Sequence, residues 1–389
     1  MAEARPLRIR VLGRAADLPA EAWERLAGRD HPFTSLAFLS ALEDSGSAVA
    51  RTGWQPVHLV AEDPEGTAVG LMPAYAKAHS QGEYVFDHGW ADAALRLGLR
   101  YYPKLQCATP FTPASSPRIV AKDPAVRQAL VAAARTLVER QGWSSAHATF
   151  LLAQDAADFA AQGWLERHDL QFHFDTRDGR SFSDFLSRLS SRKRKELRRE
   201  REQALAAVDE VRWLTGADLT EDVWDHFFAF YQDTGGRKWG RPYLTRAFFS
   251  LVGERMGDRI LLVMARRAGR WVAGALHFVG ADCLYGRYWG AIEDIPFLHF
   301  ELCYHQAIDA AGQLGLKRIE AGAQGPHKVK RGYRPVVTRS MHWLVDLRLR
   351  SAVADFLERE RAAVAQEVAL FEADLPFRRG PGGAPDGEG

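Results

Sequence analysis

The chain has 389 residues, enough for two or three domains, and its 47% hydrophobic and 26% charged residues are the balance of an ordinary globular protein. A net charge of +2 excludes a polyanion binder acting through the whole molecule, so any such role has to be local. Cys107, Cys283 and Cys303 are far apart without metal-ligand spacing, and the start M-A-E-A-R-P-L-R-I-R lacks a secretory apolar core. No apolar run approaches the roughly 18 residues of a membrane span. The expected setting is cytoplasmic, with peripheral contact at the inner membrane left open.

In chain order, Leu7, Ile9 and Val11 alternate with charged residues and predict a strand within 1–16. Asp17 and Pro19 open a helix through Leu26, and 36–43 is a second helix. Residues 57–62 and 67–76 read as a hairpin around Asp63-Pro64-Glu65-Gly66. Tyr84–Trp90 and Lys104–Cys107 are short strands, and T-P-F-T-P-A-S-S-P is a proline-rich loop. A helix over 124–140 and a strand over 146–152 follow. The same order returns later. Strands 260–267 and 271–279 form a hairpin, and 284–290 is a strand. A helix spans 298–313, and 317–321 closes the series as a strand. Hairpin, strand, helix, glycine, strand twice over implies a duplicated α/β unit. Between the copies, 181–204 is rich in Arg and Lys with few apolar residues, which predicts a solvated, projecting helix. A charged amphipathic helix covers 353–372, and the glycine- and proline-rich end has the composition of a disordered tail.

The densest chemistry lies in K-R-I-E-A-G-A-Q-G-P-H-K-V-K-R-G-Y-R-P, residues 317–335. Glu320 ends a strand, where α/β sheets place ligands, and a carboxyl lifted by partial burial suits a general base. The alternative is an exposed residue paired with Arg318. His327, after two glycines and a proline, can take a proton from an attacking amine, while Gln324, Lys328 and Arg331 can hold a carboxylate or phosphate. His299 and Glu301 lie in the first turn of the 298–313 helix, where free N–H groups suit an anion, although Glu301 with His305 at i, i+4 also reads as a surface pair. Tyr101, Tyr102 and Lys104, near Asp87, His88 and Trp90, read as a pocket lining in the first copy. Lys238, Trp239 and Arg241 read as a lid or acceptor contact. Arg192, Lys193, Arg194, Lys195, Arg198 and Arg199 form a surface for phosphate contacts with tRNA or an anionic membrane. No H-E-x-x-H exists, so no metal is expected. Without Walker A, G-x-G-x-x-G or G-x-S-x-G motifs, NTP hydrolysis, dinucleotide redox chemistry and α/β-hydrolase chemistry are not expected either.

H-P-F-T-S-L-A-F-L, Y-Y-P-K-L-Q-C-A-T-P-F-T-P, S-R-K-R-K-E-L-R-R-E-R, R-K-W-G, L-H-F-E-L-C-Y-H-Q-A-I and E-A-G-A-Q-G-P-H-K-V-K-R-G-Y-R-P together resemble the FemAB-like N-acyltransferases of the GNAT superfamily over about 30–375. The resemblance implies an α/β (α+β) fold of two tandem GNAT-like domains with mixed sheets flanked by helices. It also implies acyl transfer to an amine. The expected layout is a first domain over 1–168, a second over 169–350 that includes the basic helix 181–207, a helix over 351–375 and a tail over 376–389. The expected activity moves an acyl group from a thioester such as acyl-CoA, a co-substrate and not a tightly bound cofactor, to an amine of a cell-envelope molecule such as a lipid. An aminoacyl-tRNA donor for a peptidoglycan bridge is the alternative enzyme, and RNA or membrane-surface binding without catalysis is a third reading. G-A-I-E-D-I-P-F-L-H-F-E (290–301) lacks the usual Q/R-x-x-G-x-G/A pyrophosphate loop, so the donor stays open.

Overall fold

A computed structural model describes residues 6–239, 242–323 and 325–378. Gln324 and Arg241, and the side chains of Lys238 and Trp239, lie outside what it describes. Fourteen strands are formed among the described residues. The first half holds β1 (Arg8–Leu12), β2 (Trp54–Pro56), β3 (His58–Glu62), β4 (Ala68–Met72), β5 (Tyr75–Lys77), β6 (Lys104–Cys107) and β7 (Ser145–Leu151). Then come β8 (Leu165–Asp175), β9 (Glu210–Leu214), β10 (Ile260–Arg267), β11 (Arg270–Val279), β12 (Cys283–Ala291), β13 (Arg318–Ala323) and β14 (Arg334–Leu344). Strands β1, β3 and β4 make a small sheet. The other eleven form one sheet in the order β2-β5-β6-β7-β14-β8-β13-β12-β11-β10-β9.

The duplication is visible in this order. In each half an antiparallel strand leads to a parallel pair joined by a helical crossover: β6 and β7 across helix Pro124–Gln141, β12 and β13 across the helical run 298–313. The strand after each pair leaves its own half. β8 follows β7 yet pairs with β13, and β14 follows β13 yet pairs with β7, while β8 and β14 pair with each other over nine positions. The two halves are thereby one continuous sheet. The boundary expected at 168/169 falls inside β8.

The hairpins, crossover helices and parallel strands form where periodicity placed them, and several neighbouring expectations need correction. The strand expected over 67–76 is two, because Pro73 has no N–H for the ladder; β4 stays in the small sheet and β5 joins the large one. Tyr84–Trp90 is not a strand: Tyr84 has positive φ, and a helix starts at His88 and runs to Arg96 through the alanine- and leucine-rich segment. Strands β8 and β14 have no counterpart in the sequence reading. The basic segment is two helices, Phe182–Arg188 and Ser191–Ala206, and the second does not project. Leu197 and Ala204 are fully buried, and Arg201 reaches Glu301 at 3.3 Å and Asp309 at 2.9 Å. The C-terminal helix begins earlier than expected and spans Leu347–Ala373.

Candidate active site

The parallel pairing of β12 with β13 stops at Tyr285 and Glu320. Beyond it the strands part, and a cavity of about 360 Å³ opens between them. Gly286, Arg287 and Tyr288 form one wall, Ala321 and Gly322 the other, and His299, Cys303 and Tyr304 close it from the crossover helix. The first half supplies Gly82, Tyr84, Phe86 and Pro113, so the cleft belongs to both copies. The proline-rich loop is fastened there. Arg287 Nη2 donates to the Phe111 carbonyl at 2.8 Å, the Tyr288 hydroxyl to the same oxygen at 3.2 Å, and Gln171 Nε2 to the Pro113 carbonyl at 2.9 Å.

Gly322 sits at φ 74°, the left-handed turn that swings β13 away from β12. The carbonyls so released are taken by Lys328, whose Nζ donates to Ala321 O at 2.8 Å and Gly322 O at 3.1 Å. Burial lowers the Lys328 pKa to about 8. His327, one residue earlier and also lining the cleft, has Nε2 at 3.1 Å from the Tyr304 hydroxyl. Tyr304 is pushed well above the usual phenol range by burial and therefore keeps its proton. Arg331 lies over the Phe300 ring at 3.3 Å and pairs with Glu200 of the basic helix at 2.7 Å, so it anchors the turn and does not line the cleft.

The first half repeats the geometry and closes it. Parallel pairing of β6 with β7 ends at Cys107 and Ala148, and Phe150, at the position of Gly322, also has positive φ, 55°. Such a conformation costs a non-glycine residue roughly 1–2 kcal/mol. The carbonyl matching that of Ala321 is Thr149 O, and it accepts from Arg118 Nε at 2.8 Å. Arg118 is 1% exposed, and its guanidinium also bonds to Thr109, Ser116 and the Ala114 carbonyl. A fixed cation fills the first gap, while a titratable amine borders the second.

Glu320 is buried but stands behind the cleft wall. Strand alternation sends Ile319 into the core of one sheet face and Glu320 toward Arg318, 3.5 Å away, on the other. Burial raises its pKa to about 7, and Oε2 has no hydrogen-bond partner. The reading as an exposed edge residue is therefore corrected. Glu301 is likewise not a surface residue. It is fully buried, accepts from Gln306 Nε2 at 2.6 Å, and contacts His305 Nδ1 at 3.0 Å within a π-helical turn, Glu301–His305. His299 lines the cleft, with its ring 5.1 Å from that of Trp289.

Tyr101, Tyr102 and Lys104 lie in a separate polar cluster of the first half. The Lys104 ammonium is wholly buried between Glu83, 2.7 Å away, and Asp87, with Ser80 at 2.8 Å; Tyr101 donates to Asp87 at 2.7 Å, and the Tyr102 hydroxyl is 2.8 Å from Ser80. Of the six basic-helix residues, Arg192, Lys195, Arg198 and Arg199 are exposed, while Lys193 and Arg194 are half-buried. Arg287, Tyr288 and the aromatic wall of Tyr84, Tyr231 and Tyr243 were not among the expected site residues. Gly286 and Arg287 inside the otherwise largely apolar run C-L-Y-G-R-Y-W-G were the signal for Arg287 and Tyr288, and no such local signal marks the three tyrosines of the wall.

The FemAB-like family, described by peptidoglycan biosynthesis/recognition, matches residues 14–379. The chain belongs to the FemAB-like family. Membership makes this FemAB-like protein a transferase of the acyl and aminoacyl class that serves the cell envelope. No curated protein matches it by sequence. Its fold is shared with the crystal structure of FemX, at 9% identity over 89% of this chain and 100% of that one, with a TM-score of 0.54. It is also similar to the C-terminal domain of a putative lysylphosphatidylglycerol synthetase from Agrobacterium fabrum (10% identity, 88% and 96% covered, TM-score 0.53). The L-PGS of Bacillus licheniformis is a third relative in fold (11%, 85% and 98%, TM-score 0.50). The FemAB-like protein thus has the expected architecture of two tandem α/β units in a mixed α/β fold.

Proposed function

We propose that the cleft between β12 and β13 transfers an activated acyl or aminoacyl group, delivered on a phosphate-bearing carrier, to an amine of a cell-envelope molecule. The observation that carries this reading is the parting of the two strands beside Lys328, His327 and Tyr304. Past Tyr285 the edge of β12 that faces β13 has no strand partner among the described residues, so its backbone groups can bind an extended donor as a strand would. The attacking amine loses its proton to His327 as the N–C bond forms. The C–O or C–S bond then breaks, and the Tyr304 hydroxyl gives its proton to the leaving atom and regains one from His327. Lys328 spends two of its three N–H bonds on Ala321 and Gly322. The third serves the negative charge that develops on the carbonyl oxygen.

Two carriers share this chemistry, acyl-CoA and aminoacyl-tRNA. The basic helix favours the second. It is tied to the cleft turn through Glu200 and Arg331, and it presents Arg192, Lys195, Arg198 and Arg199 outward beside that turn. The family's description, peptidoglycan biosynthesis/recognition, fits an acceptor in the cell envelope. The test incubates the purified protein with an envelope fraction and either a long-chain acyl-CoA or charged tRNA, and seeks a new amide by mass spectrometry. An amide from charged tRNA that is lost in R192E/K195E/R198E/R199E supports the tRNA carrier. An amide from acyl-CoA that survives those changes supports the thioester. No amide from either donor, with an unchanged envelope in a deletion strain, overturns the proposal.

A further inference from the structure

Lys104, the first residue of β6, is wholly buried, and its ammonium has three N–H bonds to give. All three go to one segment, residues 80–87 between β5 and helix His88–Arg96: to Ser80 Oγ at 2.8 Å, to Glu83 Oε2 at 2.7 Å and to Asp87 Oδ2. Lys77, in register with Lys104 on the neighbouring β5, donates to the Gln81 carbonyl of the same segment at 3.1 Å. Residues 80–87 belong to no strand or helix, so these side chains hold them where a ladder would hold a strand. The segment has two faces. Glu83, Val85 and Asp87 are buried against the sheet, while Gly82, Tyr84 and Phe86 line the cleft. Tyr84 is kept at φ 60°, a left-handed conformation that is costly for a residue with a Cβ, and stands next to Tyr288, Arg287 and Tyr243. Two bonds to the backbone add to the hold: Phe111 N–H donates to the Gly82 carbonyl at 3.2 Å, and Arg167 Nη1 to the Phe86 carbonyl at 2.8 Å.

We infer that Lys104 is a positioning residue for the cleft: acting through Ser80, Glu83 and Asp87, it holds Tyr84 and Phe86 as part of the wall that receives the substrate. The inference rests on the assignment of transfer to that cleft. Lys104 itself is outside the lining and touches no substrate. An ammonium and two carboxyls taken out of water stabilise a fold no better than packed apolar groups of the same volume, so their use is to fix one arrangement. Here the arrangement is that of a single loop. Each carboxyl gives one oxygen to Lys104 and leaves the other, Glu83 Oε1 or Asp87 Oδ1, without a partner, so the loop has no second polar tie through these side chains. Without the ammonium, Tyr84 can relax to negative φ and its ring leaves the cleft. The first copy, whose own gap is filled by Arg118, thus contributes to the site through this loop.

The test replaces the whole cluster, K104M/E83Q/D87N, because exchanging a buried charge set together spares a fold that loss of one partner would damage. Should that variant melt early, S80A/E83Q, which weakens two of the three bonds and leaves Lys104 paired with Asp87, is read in the same way. Hydrogen exchange followed by mass spectrometry is expected to show the amides of 80–87 exchanging about tenfold faster than in wild type, with β12 and β13 unchanged. Exchange needs no turnover, so an unchanged loop overturns the inference whatever the cleft transfers. In amide formation from charged tRNA or long-chain acyl-CoA, the variant is expected to raise KM roughly three- to tenfold, about the worth of an aromatic contact, with kcat within about twofold of wild type. Y84A alone should do the same, and Y84A added to the cluster variant should change KM by less than about twofold further, because the ring has already left. Effects of the two that multiply would overturn the inference and leave Lys104 a residue of the core. So would a fall in kcat with KM unmoved.

Discussion

Glu320→Gln separates the buried carboxylate from the chemistry of the cleft. The wild-type side chain is 3% exposed, has an unpartnered oxygen, and ionises at about pH 7 in the fold instead of the usual 4.5. Between those values the folded chain binds more protons than the unfolded one. The stabilisation is therefore fully present below pH 4.5 and is lost as pH rises through 7. At 1.36 kcal/mol per tenfold in proton concentration, the loss is about 3 kcal/mol. Glutamine has the same shape and no such titration, and Arg318 keeps Asp282 at 3.3 Å as a partner. Unfolding entropy near 2.1 cal/mol/K per residue gives about 0.8 kcal/mol per kelvin for a chain of this length. About 2.5 kcal/mol of that loss falls between pH 5 and pH 8, so the midpoint of wild type should fall behind that of Glu320→Gln by about 3 °C over that range. Differential scanning fluorimetry across that range measures it, and transfer by Glu320→Gln should stay within a few-fold of wild type. Parallel pH curves for the two proteins would refute the placement of an ionising carboxyl behind the wall. A loss of transfer as large as that of His327→Gln would make Glu320 the base.

His327→Gln is expected to slow transfer by about 10²–10⁴-fold without changing the thermal midpoint, read by single-turnover amide formation. Lys328→Met should remove the alkaline limb of the rate profile, because the wild-type amine loses its proton, and the cleft its cation, as pH rises through about 8; a limb that persists in the variant would assign it elsewhere. Arg118→Ala should destabilise the protein by about 1–3 kcal/mol through the stranded Thr149 carbonyl alone, seen as a lower denaturation midpoint, because it empties the first gap.

The duplicated unit was legible because hairpin, helix and parallel strand are written in local periodicity. The exchange of β8 and β14 was not, since a run such as L-E-R-H-D-L-Q-F-H-F-D carries no mark of which distant edge it will pair with. The cleft turn was legible from its glycines and its His-Lys pair. The side on which Glu320 stands depends on the parity of one residue in β13, which the sequence leaves open until the core face is known. Tyr101, Tyr102 and Lys104 misled because an amine among aromatic rings reads as a binding site. Glu83 and Asp87, too distant in sequence to be paired with it by spacing, neutralise the charge instead.

The strand exchange also governs the order of events on the ribosome. β7 gains its partner on one side only when β14 has been made, about 180 residues later. At about 5–20 residues per second, that edge stays open for roughly 10–40 s of synthesis. During that interval the nascent first half presents a bare β-edge next to its own apolar surface, the arrangement that recruits holding chaperones or pairs wrongly with a neighbouring chain. A first half released on its own would keep that edge permanently, so truncation after β7 should give aggregates and not a domain.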